Sequence, residues 1–242
     1  MRVVVIIPAL NEERSLPKVL DDIPKQLVDE VVVVDNGSHD ETAAAARRAG
    51  ASVVREPVPG YGRACLAGIR HLRRRPADVV VFVDADFSDR PSEMPTLLSP
   101  ILSNQADFVV GSRVLGVRER GALAPHARWG NWVATWMIRL LYGYRFSDLG
   151  PFRAIRYETL LALDMQDQDY GWTAEMQAKA ARAGVRATEV PVSYHRRIGR
   201  SKITGTVKGT VLAGYKIITT ILRLRFPGAV AVAASKASLR SS

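Results

Sequence analysis

Val79-Val80-Val81-Phe82-Val83-Asp84-Ala85-Asp86 is the stretch that decides how this chain is read. Five consecutive β-branched or aromatic residues point to a buried strand rather than a helix segment. Two carboxylates just beyond it project at the carboxyl edge of a parallel sheet, where open α/β folds bind ligands. Spaced i, i+2, they can share a hard divalent cation, and such a cation commonly holds a nucleotide's phosphates. The plainer alternative is a strand end that turns on Asp.

Outward from this run, apolar strands alternate with helix-like stretches. Val3–Ile7 precedes a helix near Leu16–Ile23, and Val28–Val34 precedes the alanine-rich Thr42–Ala49. Ala51–Val54 leads to a helix from about Arg63 to Leu72, Val79–Val83 leads to Met94–Leu102, and Phe108–Val110 closes the series. Strands separated by helix-length patterns imply βαβ units and a largely parallel sheet, an α/β fold. The second half is less regular, with helices expected over Trp129–Tyr142, Tyr157–Leu163, Trp172–Ala183 and Lys208–Leu224. The expected organisation is one domain over residues 1–225 and a flexible tail over 226–242.

Composition bounds the function. At 242 residues, 47% apolar and 24% charged, the chain has the make-up of a soluble globular protein with a substantial core. One cysteine, Cys65, excludes an internal disulfide framework and fits a reducing, cytoplasmic compartment. Met1-Arg2 runs straight into the first strand, so no signal peptide is expected. The Thr206–Leu224 segment is interrupted by Lys208, Lys216 and Arg223, which reads as an amphipathic helix able to lie on a bilayer, not cross it. The net charge of +10 favours a polyanionic partner: nucleic acid, an anionic lipid surface or a phosphorylated substrate.

Polar groups cluster where the strands end. The first strand runs out through Pro8-Ala9-Leu10-Asn11-Glu12-Glu13, where Asn11 and Glu12 either bind a base or ribose or cap the next helix. The second ends Val34-Asp35-Asn36-Gly37-Ser38-His39-Asp40; Asp35 is well placed for a nucleoside's hydroxyls or base, and taken alone the run is more simply an Asx/Gly turn with Asp40 capping the next helix. Pro59-Gly60-Tyr61-Gly62-Arg63 opens another helix, its glycines allowing close backbone approach and its N–H groups attracting anions. It is neither a Walker loop nor a GxGxxG fingerprint.

In this order, with Asp84-Ala85-Asp86 and Gly111-Ser112-Arg113, these pieces resemble the family 2 glycosyltransferases, inverting enzymes with the GT-A fold, over roughly residues 3–222. Asp148-Leu-Gly-Pro-Phe-Arg153 and Arg197-Ile-Gly-Arg-Ser-Lys202 are similar to the branch that transfers sugars to polyprenyl phosphates, such as the dolichyl-phosphate mannosyl- and glucosyltransferases. The resemblance implies that Pro8, Ala9, Glu12 and Asp35 line a nucleoside pocket with Arg63 at the base. It also implies that Asp84 contacts the nucleotide and that Asp86 holds Mg²⁺ or Mn²⁺ on the diphosphate, neutralising a leaving group. Arg113, Arg128, Arg197 and Lys202 would contact donor or acceptor phosphates, since guanidinium groups bind phosphate oxygens bidentately.

A hydroxyl acceptor usually needs a carboxylate base. Glu175, in Asp169-Tyr-Gly-Trp-Thr-Ala-Glu175-Met-Gln, is the candidate, although it also forms an ordinary i, i+4 pair with Lys179. Many members carry Glu-Asp there and this chain has Glu175-Met176, which suits a phosphate acceptor that is already ionised. Asp148 is a second candidate, for acceptor or loop positioning. His195 is a potential metal ligand that more simply packs locally. Trp129, Trp132 and Trp136 recur at helical spacing, the pattern of a core or interface stripe, or of a face toward a lipid acceptor.

The expected function is therefore metal-dependent inverting transfer of a hexose from a UDP- or GDP-sugar to a polyprenyl phosphate, at the cytoplasmic membrane face. Rival readings are transfer to a saccharide or small-molecule hydroxyl, a sugar nucleotidyltransferase, and a basic membrane- or nucleic-acid-binding module. A nucleotidyltransferase would carry a glycine-rich basic loop after strand one, and paired acids at strand ends would repel nucleic acid.

Overall fold

All four residues of Val79–Phe82 are buried, as an apolar run between two helical layers requires, and they form β4 at the centre of a seven-stranded sheet. A computed structural model of the chain describes residues 1–199 and 207–226. The other strands are β1 (Val3–Ala9), β2 (Glu30–Asp35), β3 (Ser52–Arg55), β5 (Phe108–Ser112), β6 (Arg153–Arg156) and β7 (Ala187–Pro191). They lie in the order β3-β2-β1-β4-β6-β5-β7. Only β6 runs antiparallel to its neighbours, β4 and β5.

The helices are α1 (Leu16–Asp22), α2 (Thr42–Arg48), α3 (Tyr61–Leu72), α4 (Met94–Leu102), α5 (Pro125–Tyr142), α6 (Tyr157–Ala162), α7 (Trp172–Arg182) and α8 (Val207–Arg225). Alternation along β1 and β4 divides the core. Val4, Ile6, Val80 and Phe82 pack with Ile69 and Leu72 of α3, Ile138 of α5, and Trp172 and Met176 of α7. Val3, Val5, Ile7, Val79 and Val81 meet Leu16 and Val19 of α1 and Leu97 and Ile101 of α4 on the other face. Each layer removes several large aliphatic side chains from water, at roughly 1.5–3 kcal/mol apiece.

The chain runs outward from β1 to β2 to β3 and then crosses back to β4 on the other side of β1. That reversal opens a crevice at the carboxyl ends of β1 and β4. Ala9 stands opposite Asp35, and Ile6 opposite Phe82, so the ends of β1, β2 and β4 converge there.

Two expectations change and a third is not reached. The strands β6 and β7 do not appear in the sequence reading. The tryptophan stripe is not core: Trp129, Trp132 and Trp136 are 66%, 60% and 49% exposed, because α5 buries the opposite side through Ala134, Thr135 and Ile138. The tail expected to be flexible lies, from residue 227, outside the described residues.

Candidate active site

The crevice is a cleft of about 380 Å³ whose lining includes Pro8, Ala9 and Glu12 after β1, Asn36 after β2, Asp84 and Asp86 after β4, and Asp169, Tyr170 and Arg197. A second cavity of about 270 Å³ shares its Tyr61, Asp84 and Tyr170 and runs between α5 and α8, past Trp129, Ala213 and Ile217. Its lining is mainly apolar, with Arg113 and His126 among the polar groups. The two spaces therefore meet at Tyr61, Asp84 and Tyr170.

Asp84 and Asp86 stand just past the end of β4. Asp84 accepts a hydrogen bond from the Tyr61 hydroxyl (3.0 Å). Burial, and then the neighbouring Asp86 charge, push its carboxyl up to about 6, against the pull of Arg197, Tyr61 and Arg113. Asp86 is buried although it stands past the strand end. Its Oδ1 takes the Ser88 backbone N–H (2.9 Å) and its Oδ2 lies 3.0 Å from Arg197 Nη1. Phe87, between them, has φ of 61°, a left-handed conformation that costs a bulky residue energy and that surrounding contacts must hold. Asp89 is also buried, and burial, with Asp84 next, holds its carboxyl well above the usual range.

Among the described residues no group of three or more His, Cys, Asp or Glu side chains is assembled around one point. Two carboxylates lining one cleft fit Mg²⁺ or Mn²⁺, which typically take one or two protein oxygens and complete their shell with water and phosphate. A cation there would also neutralise the Asp84–Asp86 repulsion. His195 does not join them: its backbone N–H donates to the Ser88 carbonyl (2.8 Å) and its ring faces Glu119.

Of the other residues singled out in the sequence, Pro8, Ala9, Glu12 and Arg197 line the cleft. Asp35 is buried beneath it, accepting the Ser38 N–H (3.0 Å), and Asn36 faces the cleft instead. Asn36 also fixes the loop before α3: its Oδ1 accepts the Gly60 N–H (2.8 Å) and its Nδ2 donates to the Val58 carbonyl (2.8 Å). Arg113 lines the apolar cavity, its Nε and Nη2 held by Asp148 at 2.8 Å each. Asp148 is thus enclosed and committed to positioning Arg113. Arg128 is exposed and lines neither space; it borders a groove that adjoins the apolar cavity at Trp129 and Asn131, and Lys202 lies outside the described residues.

Glu175 does not face the cleft. It is 3% exposed; Oε1 and Oε2 accept the backbone N–H groups of Gln166 (2.9 Å) and Asp167 (2.7 Å), and Lys179 Nζ is 2.8 Å away. The glycines of Gly60-Tyr61-Gly62 make their close approach to this same loop, not to an anion. Arg63 N–H donates to the Gln168 carbonyl (3.0 Å), and a Cβ on Gly62 would sit 2.1 Å from the Asp167 carbonyl oxygen. Asp169 and Tyr170, carried on that loop, were missed in the sequence; their only signal was the Asp-Tyr-Gly-Trp run ahead of α7.

The glycosyl transferase family 2 model matches residues 4–161. An uncharacterized glycosyltransferase of Mycobacterium tuberculosis is 39% identical over 216 residues, covering 87% of this chain and 94% of that one. The undecaprenyl-phosphate mannosyltransferase of Micrococcus luteus is 34% identical over 224 residues, covering 86% and 90%. Among solved structures, the glucosyl-3-phosphoglycerate synthase of Mycobacterium tuberculosis in complex with Mg²⁺ and UDP superposes with a TM-score of 0.71 at 25% identity, covering 93% of this chain and 79% of that one.

Proposed function

Because the chain belongs to glycosyl transferase family 2, we propose that it moves a hexose, with inversion, from a uridine or guanosine diphospho-sugar to a lipid phosphate. The observation that carries this reading is the meeting of the polar cleft with an apolar cavity at Tyr61, Asp84 and Tyr170. A donor needs the first space, and an acceptor with a hydrocarbon chain suits the second.

Pro8, Ala9, Glu12 and Asn36 hold the nucleoside, and Asp84 and Asp86 hold Mg²⁺ or Mn²⁺. When bound, that cation neutralises charge developing on the diphosphate as the glycosidic bond breaks. Arg197 adds a guanidinium from the donor side. Arg113, rigid because Asp148 grips it, offers a cation at the polar end of the apolar cavity, where an acceptor phosphate would sit. The phosphate oxygen is already ionised, so attack on the anomeric carbon opposite the diphosphate needs no base, and an enclosed Glu175 is compatible with that chemistry.

The acceptor side faces outward through α5 and α8. Trp129, Trp132, Trp136 and Leu140 on α5 and Val211, Leu212 and Tyr215 on α8 are exposed, and neither helix contains an acid. Among the described residues no helix is long and apolar enough to cross a membrane. Such a face suits peripheral docking on the cytoplasmic leaflet, where aromatic rings settle at the headgroup level.

The test is nucleotide release from UDP-glucose, UDP-N-acetylglucosamine and GDP-mannose, with Mn²⁺, against undecaprenyl phosphate, 3-phosphoglycerate and a simple saccharide. Turnover is expected with the lipid phosphate and to vanish in EDTA. Turnover with only the saccharide or the small phosphate would overturn the lipid acceptor.

A further inference from the structure

The residues discussed so far bind the nucleotide, the cation and the phosphates; none addresses the sugar being transferred. We infer that Asp169 reads that sugar, its carboxylate accepting hydrogen bonds from the pyranose hydroxyls, so that it sets which hexose the enzyme takes. The inference rests on the donor assignment above.

Position is the first argument. The anomeric carbon must face both the diphosphate it leaves and the oxygen it joins, so the sugar has to occupy the junction of the two cavities. Tyr170 borders both spaces there, and Asp169, next to it, lines the donor cleft. Four acids line that cleft, and three have other work. Asp84 and Asp86 form the cation pair, with Asp84 holding the Tyr61 hydroxyl and Asp86 holding Ser88. Glu12 is assigned above to the nucleoside, and its Oε2 takes the Ser15 hydroxyl. Asp169 is the acid left, beside the Tyr170 that borders both spaces.

The chemistry agrees. A carboxylate only accepts hydrogen bonds, and its two oxygens can take adjacent hydroxyls on a ring. Against a diphosphate it would only repel, so its presence in a donor cleft is accounted for by a partner that donates. Burial, followed by the nearby Asp167 charge, raises its carboxyl above the usual range, while Lys216 and Arg63 temper the shift. A partly desolvated acceptor discriminates strongly, because a sugar lacking the matching hydroxyl leaves it unsatisfied.

The loop is built to hold this group still. Gln166 and Asp167 donate backbone N–H groups to Glu175, and Asp169 and Gly171 donate theirs to Asp167 Oδ1 (2.8 and 3.1 Å). Gln168 is tied to Arg63 of α3 through its carbonyl. A loop fixed on both sides presents Asp169 in one place, which selection between epimers requires.

The experiment compares wild type with Asp169→Asn, which keeps the volume and the backbone bonds. Calorimetry with Mn²⁺ measures UDP, GDP, UDP-glucose, UDP-N-acetylglucosamine and GDP-mannose. The variant is expected to bind the bare nucleotides within about two-fold of wild type. The preferred sugar donor should bind roughly 10–100-fold more weakly, the loss of one charged hydrogen bond or two, and discrimination among donors should shrink. Donors lacking single ring hydroxyls give a second measurement: one deoxygenation should weaken wild type and leave Asp169→Asn unmoved. An equal loss for UDP and UDP-sugar would make Asp169 a loop-holding residue and overturn the inference. Unchanged discrimination, or lost turnover with sugar binding intact, would overturn it as well. Wild type that binds no nucleotide diphosphate would instead overturn the donor reading beneath it.

Discussion

In the proposed function Asp86 combines two jobs that a substitution can separate. Asparagine keeps an oxygen for the Ser88 N–H but removes the charge that a cation and Arg197 both need. Asp86→Asn is therefore expected to fold, with a melting temperature near wild type, and to lose Mn²⁺-dependent nucleotide binding by at least the 10–100-fold that loss of an outer-shell partner costs. Calorimetry with UDP or GDP, with and without Mn²⁺, checks this; equal nucleotide affinity with and without metal in wild type would remove the cation from the site. Glu175 behaves differently, because its oxygens receive two backbone N–H groups and Lys179. Glu175→Gln turns an amide N–H toward one of those donors, at about 1–3 kcal/mol. The expected result is a lowered melting temperature and reduced kcat with the shape of the pH–rate profile unchanged. Loss of a limb of that profile would return Glu175 to the role of base.

At the scale of elements, the same logic separates glycines that look alike in sequence. Gly62 in α3 lies against the loop before α7, where a Cβ meets the Asp167 carbonyl at 2.1 Å, while Gly130 in α5 has nothing within 4 Å. Gly62→Ala is expected to cost roughly 1–3 kcal/mol and to weaken donor binding through the displaced loop. Gly130→Ala should gain about 0.5–1 kcal/mol from helix propensity alone. Urea denaturation of both variants decides. Asp107 ties three strands together at the start of β5, with Arg186 Nε at 2.8 Å and Arg156 Nε at 3.1 Å. The Arg186 hydrogen bond, against a smaller burial effect and helped by Arg156, holds its carboxyl below the ordinary 3.8. A depressed carboxylate stabilises the fold above the unfolded value and loses that contribution as pH falls through the folded one. Asp107→Asn should thus cost about 1 kcal/mol at pH 7, and that cost should shrink as pH falls below the ordinary 3.8, measured by urea melts across pH.

These elements also show what a linear reading reaches. The strands β1, β2 and β4 were legible because each is a run of valine and isoleucine buried on both faces, and their carboxyl ends marked Pro8, Glu12, Asp84 and Asp86 for the cleft. The strand β6 is Arg-Ala-Ile-Arg and β7 is Ala-Thr-Glu-Val-Pro, short and polar, stabilised by pairing with β5 across long stretches of chain. No local pattern announces them. Asp169 was hidden for a related reason: its place depends on α3, Glu175 and Asp167 converging on one loop. The exposure of the α5 tryptophans depended on which side of the helix meets the sheet, and a three-to-four spacing of large residues on both sides leaves that choice open.

Over the whole molecule, a charge of +10 and one aromatic face on α5 and α8 act together. Arg128 and Arg139 are exposed on α5 and Arg223 and Arg225 on α8, so the face carries cations around its apolar residues and no acid from either helix. Two contributions to the proposed membrane binding follow, and they respond to different changes. Attraction between exposed cations and anionic headgroups is screened, so vesicle binding should weaken as salt rises from 50 to 500 mM, on the scale set by a Debye length of about 10 Å at 0.1 M. Burial of the rings is insensitive to salt, and each large apolar side chain withdrawn from water contributes roughly 1.5–3 kcal/mol, a tenfold change or more in partition. Trp132→Ser and Trp136→Ser together should lower partition into anionic vesicles at least tenfold at every salt concentration and leave the salt slope as it is. Arg223→Gln with Arg225→Gln should flatten the slope and leave the high-salt residue. Both pairs are exposed and outside the two cavities, so nucleotide binding in detergent should match wild type in each. Vesicle flotation and tryptophan emission read the result. Wild type that ignores anionic and neutral vesicles alike would place the apolar cavity against some other apolar partner.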